Sequence, residues 1–186
     1  VSVGGNGSGE GPTAVNDGTA QIGLLSRELK TEENAAAFDK VIIGYDGIAV
    51  IVNTASGLDA LTTEQITKIF KGEITNWKDV GGKDAPITLI HRSSSSGSRA
   101  TIQTVVMKDA KFVDSAIIQD SNGAVRSAIA TTPGAIGYVD AAYVDASIKS
   151  LTYNSVKYSV QAVIDGTYPI YSFGRMFTKG EPTGAT

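Results

Sequence analysis

The stretch "PITLIHRSSSSGSRATIQTVVM", residues 86–107, decides the fold class. Residues 86–92 read as a strand and residues 99–107 as a helix. Between them stand four serines, a glycine and a fifth serine, flanked by Arg92 and Arg99. A strand that passes through small residues into a helix is the repeating unit of α/β proteins. The pattern recurs upstream. "GGNGSGEGP" (4–12) is a glycine loop after a strand-like start at "VSV", and "IGLLSRELK" (22–30) leads a strand into Ser26 and Arg27 ahead of an acidic helix start at Glu32 and Glu33.

The rest of the chain keeps that rhythm. "VIIGYDGIAVIVN" (41–53) is rich in β-branched residues and reads as a buried strand broken at Asp46-Gly47. "LTTEQITKIFKGEITNW" (61–77) reads as a helix that Gly72 ends. Thr62 is its N-cap, Gln65 has the capping-box spacing, and Ile66, Ile69 and Phe70 form the apolar face. "NGAVRSAIATTPGAIGYV" (122–139) is a helix, a Pro-Gly turn and a short buried strand, and "YSVQAVIDGTYPI" (158–170) is a helix ended near Gly166. Alternating strand and helix predict an α/β architecture with mostly parallel sheet. The chain opens on a strand and stops on "TKGEPTGAT" without a terminal helix, so both ends read as cut.

Composition removes several functional classes. The 186 residues are 41% hydrophobic and 19% charged, enough to bury a core. A net charge of −3 argues against non-specific nucleic-acid binding, which needs a basic footprint. No cysteine is present, which excludes disulfides, thiolate metal sites and a cysteine nucleophile. The single histidine, His91, leaves little room for a histidine-rich metal site. No run approaches the ~18 apolar residues of a membrane-spanning helix.

The chemistry lies in the three strand ends. A helix start carries unsatisfied N–H groups and a partial positive charge, so an oxyanion is stabilised there. Ser96, Gly97 and Ser98 would offer hydroxyl and amide donors, and Arg92 and Arg99 the charge. Taken singly, each segment has an ordinary structural explanation: a solvated serine loop with an N-cap, a flexible glycine loop around Ser8, a turn serine at Ser26. Open α/β sheets bind ligands beyond the carboxyl ends of strands, so three such ends are expected to converge on one small anion. Trp77 and Tyr138 read as core.

In this order, "GGNGSGEG", "IGLLSRELK", "YDGIAVIVN", "LTTEQITKIFKGEITNWKDVGG", "RSSSSGSR", "PGAIGYVDAAYV" and "DGTYPI" make the chain similar to the phosphate-binding proteins of ABC-type phosphate uptake systems, over essentially its whole length. The resemblance implies a two-lobed α/β fold of the periplasmic-binding-protein type, with mixed, mostly parallel sheets and a hinge. Residues 1–50 with 171–186 would form one incomplete lobe and residues 51–170 the other, hinged near "VIVN" and "YPIYSF". It implies phosphate contacts from Ser8, Ser26, Arg92, Ser96, Gly97 and Ser98. Serine at 98 replaces the family's threonine, and Ser94 stands where many relatives carry an aspartate that tempers the arginine. The family's proton-accepting aspartate falls at Ser26, so Asp46 is the substitute candidate, with a turn aspartate beside Gly47 as the plainer explanation. The chain departs from the family by lacking a first strand with its Gly-Ser-Thr-type loop and the closing C-terminal helices.

The function so implied is an extracytoplasmic solute-binding protein, periplasmic or a cell-surface lipoprotein. It captures inorganic phosphate between lobes and passes it to a membrane-embedded ABC permease, as a monomer, with no cofactor, metal, nucleic acid or catalysis. Two other readings stay open: a truncated or degenerate domain acting as an interaction module with weak or no anion binding, and a hydrolase of phosphate esters. The second would have to use His91, only five residues from Ser96.

Overall fold

The computed structural model describes residues 3–5, 7–33 and 38–182. In chain order the elements are α1 (Glu10–Asn16), β1 (Gly23–Leu25), β2 (Phe38–Asn53), β3 (Ala60–Leu61), α2 (Thr63–Phe70), β4 (Thr88–Arg92) and α3 (Gly97–Ile102). There follow β5 (Ile117–Gln119), α4 (Asn122–Thr131), β6 (Ala135–Asp140), β7 (Ile148–Ser150), β8 (Thr152–Tyr153), α5 (Val160–Ile164) and β9 (Tyr171–Lys179). The strand expected at the start of the chain rests on Val1 and Ser2, outside the described residues.

The 16-residue strand β2 organises the rest. Its first ten residues pair antiparallel with β9, whose other edge takes β1. From Ile48 onward the same strand pairs antiparallel with β6 on one side and with β7 on the other. The sheet then continues through β4 to β5, both pairs being parallel. The α/β class holds, but the expected predominance of parallel pairing does not. Every partner of β2 runs antiparallel to it.

No break falls at Asp46-Gly47. The strand runs through, the irregularity in pairing lies between Ile42 and Gly44, and what changes at Gly47–Ile48 is the partner. Burial changes at the same point. Val41, Ile42, Ile43 and Tyr45 are exposed, whereas Ile48, Ala49, Val50, Ile51 and Val52 are fully buried. The expectation of a uniformly buried strand is therefore corrected for its first half. A β-branched run reports strand propensity, while burial depends on which elements cover the faces.

The core follows this division. Val15, Leu25 and Phe177 pack α1 against the β1–β9 corner. The alternate faces of the second half of β2 feed two larger clusters. One joins Val50 and Val52 to α2, Trp77 and Tyr138, the other joins Ala49 and Ile51 to Val125 and Ile129 of α4. Trp77 and Tyr138 are core residues, and the Trp77 indole N–H donates to the Gly134 carbonyl at 3.0 Å.

Helix signals in the sequence located starts better than ends. Thr62 and Gln65 form a reciprocal capping box at α2, which stops at Phe70 rather than running to Trp77. Gly72 adopts φ +76° just beyond, and the chain turns there. The helix expected over 99–107 begins two residues earlier, at Gly97, and its last five residues widen into a π turn. Among the described residues no helix is long and apolar enough to cross a membrane.

Thr62→Ala removes the hydroxyl that accepts from the Gln65 amide at 3.2 Å. It is expected to lower the free energy of unfolding by about 1 kcal/mol, read by urea denaturation.

Candidate functional site

Three chain segments meet at the start of α3. The Ser8 hydroxyl accepts from the Ser26 amide at 3.0 Å, and the two hydroxyl oxygens are 3.4 Å apart. Gly97 lies against both. A side-chain carbon on it would sit 2.3 Å from Ser26 Oγ and 2.5 Å from Ser8 Oγ, so only glycine fits. The Gly9 amide donates to the Ser95 carbonyl at 3.0 Å, which ties the glycine loop to the serine loop.

The supports lie behind these contacts. Arg27, which is buried, pairs through both ends of its fork with the Glu33 carboxylate and reaches the Ser8 carbonyl at 3.3 Å. Ser172 on β9 donates to the Ser26 carbonyl at 2.6 Å. Thus a strand end, a loop and a distant strand hold Ser8 and Ser26 in one place.

The serine run itself divides its labour. Ser96 is the N-cap of α3, accepting from the Arg99 amide at 3.2 Å. The first intrahelical bond is Ala100 N–H to the Ser96 carbonyl, so the amides of Gly97 and Ser98 belong to the unsatisfied first turn. The Ser98 hydroxyl donates to Asp140 Oδ1 at 2.9 Å, which leaves its amide as the donor for a guest. Ser94 is exposed.

Arg92 is buried at the end of β4, immediately before this loop. One terminal nitrogen donates to the Asp120 carbonyl at 2.8 Å, while Nε is buried without a hydrogen-bond partner among the described residues. A buried guanidinium N–H left unpaired is costly, and an oxyanion would satisfy it. Arg99 does not point the same way: it donates to the Arg92 carbonyl at 2.8 Å and lies over the Phe112 ring. His91 Nδ1 is 2.8 Å from the same carbonyl and its ring stacks on Phe112, so no hydrogen bond joins it to a serine among the described residues.

Asp46 sits at the edge of this cluster, where β2 changes partner. Burial, chiefly, and then the neighbouring Asp140 carboxylate raise it to about 7, against the opposing pull of a hydrogen bond from Ser26. Asp140, at the end of β6, accepts from Ser98 and from the Asn122 side chain. Sequence reasoning did not single out Asp140, Asn122, Ser172 or Arg27 with Glu33. Asp140 closes the "GAIGYVD" strand, a strand end like the other three, and that position was the available signal. Nothing in the sequence pointed to Ser172, because its contact with Ser26 spans 146 residues.

The PBP superfamily domain model matches residues 1–186. The chain belongs to this superfamily. Within it the chain is similar to the phosphate-binding protein PstS of Bacillus subtilis (strain 168), at 37% identity over 189 residues, covering 99% of this chain and 62% of that protein. PstS of Borreliella burgdorferi is 32% identical, covering 91% of this chain and 65% of its own length. The chain thus spans less than two thirds of these curated relatives. Among solved structures, a protein from Clostridium perfringens assigned as a phosphate ABC transporter substrate-binding protein, solved with bound phosphate, superposes with a TM-score of 0.91 at 34% identity. That match covers 96% of this chain and 74% of the other. An ABC-type phosphate transport receptor from Vibrio cholerae superposes at 0.78 with 28% identity, over 98% and 77% of the two chains. The resemblance drawn from the sequence motifs and the periplasmic-binding-protein-like fold are therefore borne out.

Two outcomes test this PBP-superfamily geometry. Gly97→Ala is expected to cost about 1–3 kcal/mol of stability in urea denaturation, because the new methyl meets two fixed serines. Asp46 holds its proton more tightly folded than unfolded, so stability falls as pH rises from its ordinary value of 3.8 through about 7. The melting temperature of Asp46→Asn relative to the parent should therefore climb between about pH 4 and pH 7.5 and level off above.

Proposed function

We propose that the chain is an extracytoplasmic receptor domain that captures inorganic phosphate and delivers it to a membrane-embedded ABC permease, without catalysing a reaction. The observation that carries this reading is the convergence of Ser8, Ser26 and the first turn of α3, beside a buried arginine with an unpaired N–H. The names of the relatives support it. Phosphate brings one to two negative charges near neutral pH, and burying them requires many donors. The Ser8 and Ser96 hydroxyls, the Gly97 and Ser98 amides and the Arg92 guanidinium spread that compensation. Asp46, the one acid among the predicted site residues, is the acceptor for the ligand's own proton, which sulfate lacks.

The lobe assignment belongs to the same proposal. Residues 1–50 with 171–186 form one lobe, and residues 51–170 the other. The change of β2 partner at Gly47–Ile48 and the start of β9 at Tyr171 support it, since both connections lie at the same level. Closure of the lobes on the anion would then bend β2 and the segment before β9. Ser8 and Ser26 come from the first lobe, and Arg92 and Ser96–Ser98 from the second, so the anion joins them. The receptor acts as a monomer.

A hydrolase reading finds no support in the placement of His91, whose ring faces the Arg92 carbonyl and Phe112. Titration calorimetry at pH 8 is the test. Heat with phosphate and none with sulfate is expected, and Arg92→Lys should weaken phosphate by about ten- to a hundredfold, the loss of one charge-assisted hydrogen bond. Absence of heat with millimolar phosphate would overturn the receptor reading in favour of an interaction module.

A further inference from the structure

Asp46 and Asp140 face each other across the junction of β2 and β6. Asp140 stands opposite Ile48 in the β2–β6 ladder, and Asp46 is two residues before Ile48 on the same face of β2. That places the two carboxyls on a cross-strand diagonal, within side-chain reach of each other. Two buried carboxyls this close disfavour charge on both, so one of them holds a proton.

The remaining donors decide which one. Asp140 accepts from the Ser98 hydroxyl on one oxygen and from the Asn122 amide on the other, and its own backbone N–H points to Asn122 Oδ1 at 3.4 Å. Among the described residues the one donor that favours charge on Asp46 is the Ser26 hydroxyl. Negative charge is better held by the carboxyl with more donors, so Asp140 keeps the charge and Asp46 the proton.

The charged groups on the surrounding elements are engaged elsewhere. Arg27 beyond β1 pairs with Glu33, Arg175 on β9 with Glu28, Arg92 on β4 with the Asp120 carbonyl, and Arg99 on α3 with the Arg92 carbonyl. Among the described residues no lysine or arginine ion-pairs with Asp46 or Asp140.

We propose that Asp140 is a positioning residue for the anion site. Anchored by Ser98 and Asn122, it keeps a proton on Asp46 and so makes oxyanion selectivity depend on pH. The inference rests on the cleft being the anion site. With Asp46 protonated, the cleft presents one more donor and accepts a fully deprotonated tetrahedral oxyanion such as sulfate. Once the proton leaves, Asp46 is an acceptor only, and the guest must bring a proton of its own, as hydrogenphosphate does.

Two measurements test it. The first is a carbon-detected NMR titration of the Asp46 carboxyl, its signal identified by loss in Asp46→Asn. In the wild-type chain Asp46 should titrate apart from the bulk aspartates, and in Asp140→Asn its midpoint should fall by at least one pH unit. An Asp46 that titrates with the other aspartates in wild type overturns the proposal, even if Asp140→Asn fails to fold. So does a midpoint that Asp140→Asn leaves in place. The second is calorimetry with sulfate and with phosphate at pH 5.5 and pH 8.5. Wild type should bind sulfate at least tenfold more tightly at pH 5.5, and Asp140→Asn should shrink that ratio. Phosphate binding with a sulfate affinity equal at the two pH values overturns the proposal and leaves the receptor reading standing. No binding of either anion strikes the receptor reading and with it this proposal's selectivity, while the NMR titration still decides whether Asp140 holds the proton on Asp46.

Discussion

The structure depends on one strand staying continuous while its neighbours change. At Gly47 the partner of β2 is Tyr171 of β9, and at Ile48 it is Asp140 of β6. The crossing point is braced from behind. Ile48 N–H donates to the Ile170 carbonyl at 2.9 Å, and the Tyr168 hydroxyl donates to the Ile48 carbonyl at 2.7 Å. Tyr158 lies over Gly47 so closely that a side-chain carbon there would come within 2.4 Å of its ring. Because the peptide hydrogen bonds are satisfied through the crossing, the strand needs no break, and two cores can grow from the two halves of one element.

That continuity also places the chemistry. Asp46 is the last polar residue before the fully buried half of β2, and the ends of β1, β4 and β6 reach the same level. Ser26, Arg92 and Asp140 therefore lie near one another without any being adjacent in sequence. The helix α3 starts at that level too, and Gly97 lets its first turn approach Ser8 and Ser26 to a distance that no other residue permits. The close approach, more than the number of serines, makes the cluster compact.

Electrostatics at this point is unusual in balance rather than in strength. Among the described residues the arginines are matched by carboxylates or carbonyls, with the exception of the Arg92 Nε, and Asp46 and Asp140 have only neutral donors. The cluster holds a guanidinium N–H without a partner among the described residues, together with two neighbouring acids. At Asp46, Asp140 and Arg92 the charge is compensated by short dipoles rather than by salt bridges among the described residues.

Much of this was legible in the residues themselves. The Thr62–Gln65 capping box, the Pro-Gly turn before β6, the strand ends at Ser26 and Arg92, and the α/β class are local or periodic properties, and local rules read them. The extent of α2, the mixed pairing around β2, the exposure of Val41 to Tyr45 and the partnership of Asp46 with Asp140 were not legible. Each depends on what packs from a distant part of the chain. Sequence determined which residues can start a helix, end a strand or donate to an anion, because those capacities belong to single residues and their near neighbours. Only the tertiary structure decided that Gly97 would press on Ser8 and Ser26, that the Ser98 hydroxyl would turn to Asp140, and that two aspartates 94 residues apart would share a site. Those outcomes follow from the register of β2 against β6 and β9, which long-range packing sets.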